Sequence, residues 1–358
     1  MLHRGTEKLI ESIYITSIIG YFDRLDYVSN ISQELLFIQL VERLINCYLI
    51  DYISLWRTFF LEFYKNLNHL LNITTHAIDL GLFITMLWIF DEREKLINNI
   101  SMITGTRFHV SLLLLGNLRY DLTLNWIRIM ICWLFSFGIK IKELNYLLTN
   151  TLWNIRLIEI GIIKKEFCLY FGISGIISRS IAIYIEIRLL YYEFYYFINF
   201  IIFTTLLGDC LDRYVLRLNE IIESCRILYY ILLGLFYSLS LITYCSFYII
   251  MEWLINDFLY GFIFIILFIH YCISIESSKG IYSLFILWFY CFIIYIITND
   301  FLILNEINLF SKYYLIGDLI ALLGSIDFVL GSVDLVKHTL LVNLATTTTI
   351  TNVFIDYS

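Results

Sequence analysis

The chain has 358 residues, 60% of them apolar, 18% aromatic and only 15% charged, with a net charge of −7. Globular domains run roughly 45–50% apolar and about 25% charged, so a mean hydropathy of +0.80 leaves little polar side chain to cover water-facing domains of this length and excludes a disordered chain. The acidic balance argues against nucleic acid as a partner, and the composition predicts a protein of the bilayer.

Twenty-nine Phe and 28 Tyr accompany abundant Ile and Leu, and proline is absent. Ile, Phe and Tyr have AT-rich codons and Pro has GC-rich ones, so the bias reads as nucleotide drift of the organelle kind. Charge placement therefore carries more weight here than propensity. Glu7, Glu11, Asp23 and Asp26 fall in the first 30 residues. They fit neither a secretory signal nor an Arg-rich import sequence, and the chain is expected to be made inside a mitochondrion.

Residues 1–70 read as amphipathic helices carrying Glu34, Glu42, Arg43, Asp51 and Arg57, an N-terminal extension lying at an interface or against a partner. Residues 71–304 read as a transmembrane helix bundle, because a span needs about 20 mostly apolar residues. Candidate spans are 72–90, 110–139, 145–163, 167–178 and 181–207. Charge-free runs then make 227–251, 258–275 and 280–299 the clearest three, after a charged connection at 209–226. That placement in a charged loop sets aside the likeness of Leu216-Arg217-Leu218-Asn219 to the arginine helix of the ATP synthase channel. Residues 305–358 form a glycine-striped helix and tail, in which Gly317, Gly324 and Gly331 recur every seven residues. Such a stripe suits close helix packing; the alternative makes Asp318, Asp327 and Asp334 the lining of a proton path.

Eight cysteines are scattered without a C-x-x-C pair, which gives neither a zinc spacing nor a disulfide framework. Six histidines are present, and only His270 falls in a clear span, so no haem or copper site is expected in this chain. Glu193 stands among aromatics in Tyr191-Tyr192-Glu193-Phe194-Tyr195-Tyr196-Phe197. Desolvation there raises a carboxyl pKa, so Glu193 either hydrogen-bonds a neighbouring helix or takes part in proton uptake.

Leu232-Leu233-Gly234-Leu235-Phe236, followed by Glu252, Ile255, Asp257, Tyr260, Gly261, Phe264 and His270, resembles cytochrome c oxidase subunit III. Glu193-Phe194-Tyr195-Tyr196-Phe197 with Phe200, and Leu115-Gly116, Leu122-Thr123, Trp126 and Arg128, are similar to that family's third and second helices. The resemblance implies an all-α, multi-pass bundle of about seven helices in the mitochondrial inner membrane. It implies a non-catalytic core subunit of the oxidase in respiratory electron transport, supporting the catalytic subunit and aiding proton uptake. Haem and copper would lie in partner subunits, and phospholipid, including cardiolipin, would bind between helices. Glu193, Asp257 and Glu252 become proton-uptake or structural carboxylates; Arg128, Trp126 and His270 join the glycine stripe in helix packing and lipid contact. Two alternatives stand beside it. One is a proton-translocating membrane subunit of respiratory complex I or ATP synthase, which needs Lys or Arg buried mid-helix. The other is a lineage-specific scaffold of a respiratory complex.

Overall fold

The computed structural model describes residues 15–238 apart from 46, 48, 121, 150–152 and 191, together with 9–10, 13, 270–288, 292–297, 303 and 314–328. Glu252, Asp257 and Gly331 lie outside the described residues.

The spine is helix α3, Asp51–Asp79, preceded by α1 (Ile15–Phe22) and α2 (Asn30–Ile45). Its 29 residues contain no glycine or proline, so nothing interrupts the ladder over roughly 43 Å. It stops at Leu80-Gly81, where Gly81 takes φ +86° and turns the chain into α4, Phe83–Thr104. A short antiparallel pair follows, β1 (Leu113–Leu114) with β2 (Asn117–Leu118). Next come α5 (Leu124–Thr149), α6 (Trp153–Leu157), α7 (Lys165–Phe171) and α8 (Ile176–Arg179). Two 3-10 turns, Ile187–Leu190 and Glu193–Phe197, lead through extended chain to α9, Cys210–Ser238. Helix α9 runs antiparallel along α3: Ser224 meets Asn66 and Glu220 meets His69. Helix α10, Ile316–Ile326, closes the C-terminal end of α3, where Asn72 Nδ2 donates to Gly324 O at 3.1 Å.

A three-stranded antiparallel meander, β3 (His270–Ser277), β4 (Gly280–Trp288) and β5 (Phe292–Ile297), packs on α2. Its first hairpin closes with Ser277 opposite Gly280. Ile273, Ile275, Tyr282 and Leu284 are all buried, the period-2 pattern of a sheet with one face on the core. Gly175 sits against this turn. Its φ is +75°, and a Cβ there would stand 2.6 Å from the Gly280 Cα. Gly175→Ala is therefore expected to destabilise the chain by roughly 1–3 kcal/mol for the backbone conformation alone, read as a lowered denaturation midpoint, whereas alanine at Gly234, which has open space around it, stays near neutral in this respect.

The seven-span, all-α expectation is overturned. Among the described residues one helix, Leu124–Thr149, is long and apolar enough to cross a membrane. Residues expected in spans 258–275 and 280–299 form β3, β4 and β5 where they are described, and 181–207 holds two 3-10 turns. The span at 72–90 is broken by Gly81, and the charged connection at 209–226 is the first half of α9. The physical reason is that many large apolar side chains stand at the surface while several charges lie inside. Ile84, Ile155 and Leu190 are 71, 74 and 77% exposed, while Arg57, Arg179 and Arg213 are 0% exposed. Mean hydropathy is blind to that inversion. Of the N-terminal charges, Glu34, Glu42 and Arg57 are buried, while Arg43 and Asp51 are exposed.

Candidate functional site

Glu62, Lys65 and His69 fall at i, i+3 and i+7 on α3, and spacing of this kind places side chains on one helix face. The facing helix α9 offers Arg213, Arg217, Glu220 and Ser224 at the same period. All seven are buried. Polar stripes on two long helices thus pack against each other, and each buried charge needs a partner.

The partners come from four further segments. Glu220 takes Lys65 Nζ at 2.9 Å, His69 Nε2 at 3.0 Å and Arg179 Nη2 at 2.6 Å. Arg179, carried on α8, also reaches Glu276 of β3 at 2.9 Å and Glu186 at 3.5 Å. Arg188 joins Glu186 and donates to Glu62 at 2.9 Å, and Tyr195 donates to the same Glu62 oxygen at 2.5 Å. Burial pushes Glu220 up, but Arg179, Lys65 and His69 outweigh it and hold the carboxyl well below its ordinary range. Glu276 goes the other way, because burial exceeds the pull of Arg179. The His69 imidazole is lowered by burial against the pull of Glu220.

Toward the start of α3 a second group clasps the chain between α4 and α5. Arg57 makes a two-pronged contact with Glu42 at 2.7 and 2.6 Å and donates to Leu114 O at 3.1 Å. Glu42 accepts from Gly116 N at 2.7 Å, Glu34 from Leu113 N at 2.8 Å, and Asp23 from Ser111 N at 2.7 Å. Three buried carboxylates thereby hold the backbone amides of one irregular segment. At the other end Arg213 and Arg217 meet the last turn of α10, at Ser325 Oγ (3.0 Å) and Ser325 O respectively, where exposed carbonyls favour cations. Burial and then the two arginines lower His76 to about 3.

Of the residues singled out from sequence, Glu193 joins the Arg57 group. It accepts from Gln39 at 2.7 Å, lies 3.4 Å from Arg57, and takes φ +52°; burial raises its pKa despite Arg57. Trp126 is buried in an aromatic cluster with Trp56, Phe59 and Phe60, its ring 5.7 to 6.2 Å from theirs, and donates to Asn99 O. Arg128 is exposed on α5 and His270 opens β3. A Cβ at Gly317 would lie 2.5 Å from Arg156 Nη2, and one at Gly324 would lie 2.9 Å from Asp79 Oδ2. Sequence reading missed Arg179, Arg188, Glu220 and Glu276, having treated charges as boundaries of spans. The heptad spacing of polar residues along α3 and α9 was the available signal.

Residues 79–335 match the family model for the respiratory-chain NADH dehydrogenase 49 Kd subunit. NADH dehydrogenase [ubiquinone] iron-sulfur protein 2 of Nephroselmis olivacea is 38% identical over 230 residues, 64% of this chain and 58% of that protein. The protein of the same name from Arabidopsis thaliana gives the same identity and coverage. The NADH-ubiquinone oxidoreductase 49 kDa subunit of Acanthamoeba castellanii is 38% identical over 230 residues, 64% of this chain and 57% of that protein. The chain thus spans 57 to 58% of the length of these relatives.

These matches overturn the resemblance to cytochrome c oxidase subunit III. The oxidase partners, the haem and copper assigned to them, and the multi-pass oxidase role fall with it. Short apolar and aromatic words recur by chance in a chain this rich in Ile, Leu, Phe and Tyr, and the resemblance rested on such words. Two of the relatives are iron-sulfur proteins by name. Here the described cysteines are dispersed, and among the described residues no three His, Cys, Asp or Glu are grouped to hold a metal. These residues do not fit the thiolate set an iron–sulfur cluster needs.

Proposed function

We propose, since this chain belongs to the respiratory-chain NADH dehydrogenase 49 kDa subunit family, that it is a core subunit of an NADH–quinone oxidoreductase. Its partners are then the other subunits of that complex, and its location is the mitochondrial inner membrane, where the complex is assembled. The observation that carries this reading is the extent of the family match, which runs from the end of α3 through α10 and so includes α8, α9 and β3. Those elements supply Arg179, Glu220 and Glu276 to the buried charge network. The alternative that named complex I pointed to the same assembly but to a proton-translocating membrane part of it; one candidate span among the described residues gives that part little support.

In this role the chain is a scaffold whose rigidity comes from paired interior charge, since mutual hydrogen bonding fixes the relative positions of α3, α8, α9 and β3. Glu193 is a structural carboxylate in the Arg57–Glu42 group, and Trp126 anchors α5 to α3. The test is native electrophoresis of the solubilised organelle membrane with an antibody to this chain. Co-migration with NADH dehydrogenase activity, and loss of that activity on depletion of the chain, are expected. Migration with a haem-bearing oxidase would overturn the reading.

A further inference from the structure

A cavity of about 10 Å3 lies between α3 and the β3–β4 turn, lined by Ser29, Glu62, Lys65, Arg188, Glu276 and Ser277 among others. That is close to the least space one water occupies. Two of the lining carboxylates are unevenly used. Glu62 Oε1 receives Arg188 and Tyr195 while its Oε2 has no partner; Glu276 Oε1 receives Arg179 while its Oε2 has none. Both side chains are only 1% exposed. A bare carboxylate oxygen in such a place carries a large desolvation cost, and a proton or a water removes it.

The charges facing Glu276 decide between these. Among the described residues Arg179 of α8 is its one direct cation, and that guanidinium is already shared with Glu220 of α9 and Glu186. Lys65 of α3 bonds Glu220, with His69 on the same carboxylate and Arg217 beyond it. Arg188 bonds Glu186 and Glu62. Tyr192 and Tyr195 are buried phenols whose pKa is raised, so they add no charge. Among the described residues four carboxylates therefore divide three directly bonded cations, and Glu276 has the weakest claim on them.

We propose that Glu276 is protonated in the folded chain at neutral pH and directs its proton to Glu62 through a hydrogen-bonded single water in this cavity. The Glu276 O–H donates to the water, and the water donates to Glu62 Oε2. The site is a buried proton store built from this chain alone, and it goes beyond the assembly assigned above without depending on it.

Infrared titration of the full chain in its native complex, with the glutamates carbon-13 labelled, reads the proton directly. Expected is the isotope-shifted carbonyl stretch of a protonated carboxylic acid that persists at neutral pH and shifts slowly in heavy water. Glu276→Gln removes one such band, leaving those of other buried acids. Glu186→Gln removes a neighbouring negative charge, so the same band should disappear at a lower pH, needing about tenfold more protons or more to persist. Should Glu276→Gln fail to assemble, the Glu186→Gln titration alone decides. No such band at neutral pH, a set of bands that Glu276→Gln leaves complete, or a Glu276 band that Glu186→Gln leaves unmoved would each overturn the proposal and leave the cavity to an ordinary water between two ionised carboxylates. Co-migration with a different complex would instead remove the functional reading and leave this site standing.

Discussion

Replacing Arg179 with Met is expected to cost about 3–5 kcal/mol of folding stability, a large share of the roughly 5–15 kcal/mol that holds a domain together. Methionine fills much of the space, so the loss is electrostatic rather than a cavity. Arg179 is the joint of the network, reaching Glu220 at 2.6 Å, Glu276 at 2.9 Å and Glu186 at 3.5 Å. Without it those buried carboxylates are left to Lys65 and Arg188. Two controls separate this from general damage. Arg179→Met combined with Glu220→Gln should recover part of the loss, because residues in one network are not additive. The deficit should also shrink as pH falls. Removing the guanidinium raises the folded-state pKa of its partners, and a group with a raised folded pKa loses stability as pH rises through the window between its unfolded and folded values. Urea midpoints of the full chain at acidic and mildly alkaline pH measure both. A loss below about 1 kcal/mol, within the range of a surface ion pair, would show that the network does not hold the helices together.

The place of Arg179 explains why the interior was hard to read from sequence. The polar stripe on α3 is present in the order of residues: Glu62, Lys65 and His69 at helical spacing, matched by Arg213, Arg217 and Glu220 on α9. Reading ions as boundaries of apolar spans sends each of these outward, and the surface then has to be greasy, as Ile84 and Leu190 are. Both follow from a composition in which Ile, Leu, Phe and Tyr occupy solvent positions that other chains give to polar residues. The β3–β4 hairpin was legible in the alternation of Ile273 and Ile275 with Ser274 and Glu276, yet the same residues also fill an apolar run, and short apolar runs do not distinguish strand from helix. What no local pattern carries is pairing at a distance. The aromatic run around Glu193 signals burial, but Arg57 and Gln39 lie 136 and 154 residues away. Glu276 finds Arg179 across 97 residues.

The carboxylates that hold the segment between α4 and α5 should give the chain an alkaline weakness that Glu34→Gln removes. Glu34 is wholly buried. Burial, and then a hydrogen bond and charge repulsion from Asp23, raise its pKa well above the ordinary carboxylate range; Asp23 is raised as well, by burial, with His109 and Arg24 pulling it back. Folding therefore binds a proton that the unfolded chain gives up near pH 4.3. Stability from that proton is full below the unfolded value and falls as pH rises, by about 1.4 kcal/mol per pH unit, until the folded value is passed. Glutamine carries no such slope. It does lose one acceptor, because Glu34 takes both Leu112 N at 3.3 Å and Leu113 N at 2.8 Å, and a buried amide left without a partner costs about 1–3 kcal/mol. Glu34→Gln should accordingly be the weaker protein below about pH 4.3 and the stronger one from roughly one to two pH units above that value, where the slope of the wild type has consumed that cost. The acid limb, set by Glu220 and Glu186, whose folded pKa values are lowered, runs the opposite way and is common to both proteins, so the difference between their urea midpoints isolates Glu34. Parallel pH profiles would mean that Glu34 is ionised in the folded chain and that Leu112 and Leu113 bind a carboxylate rather than a shared acid.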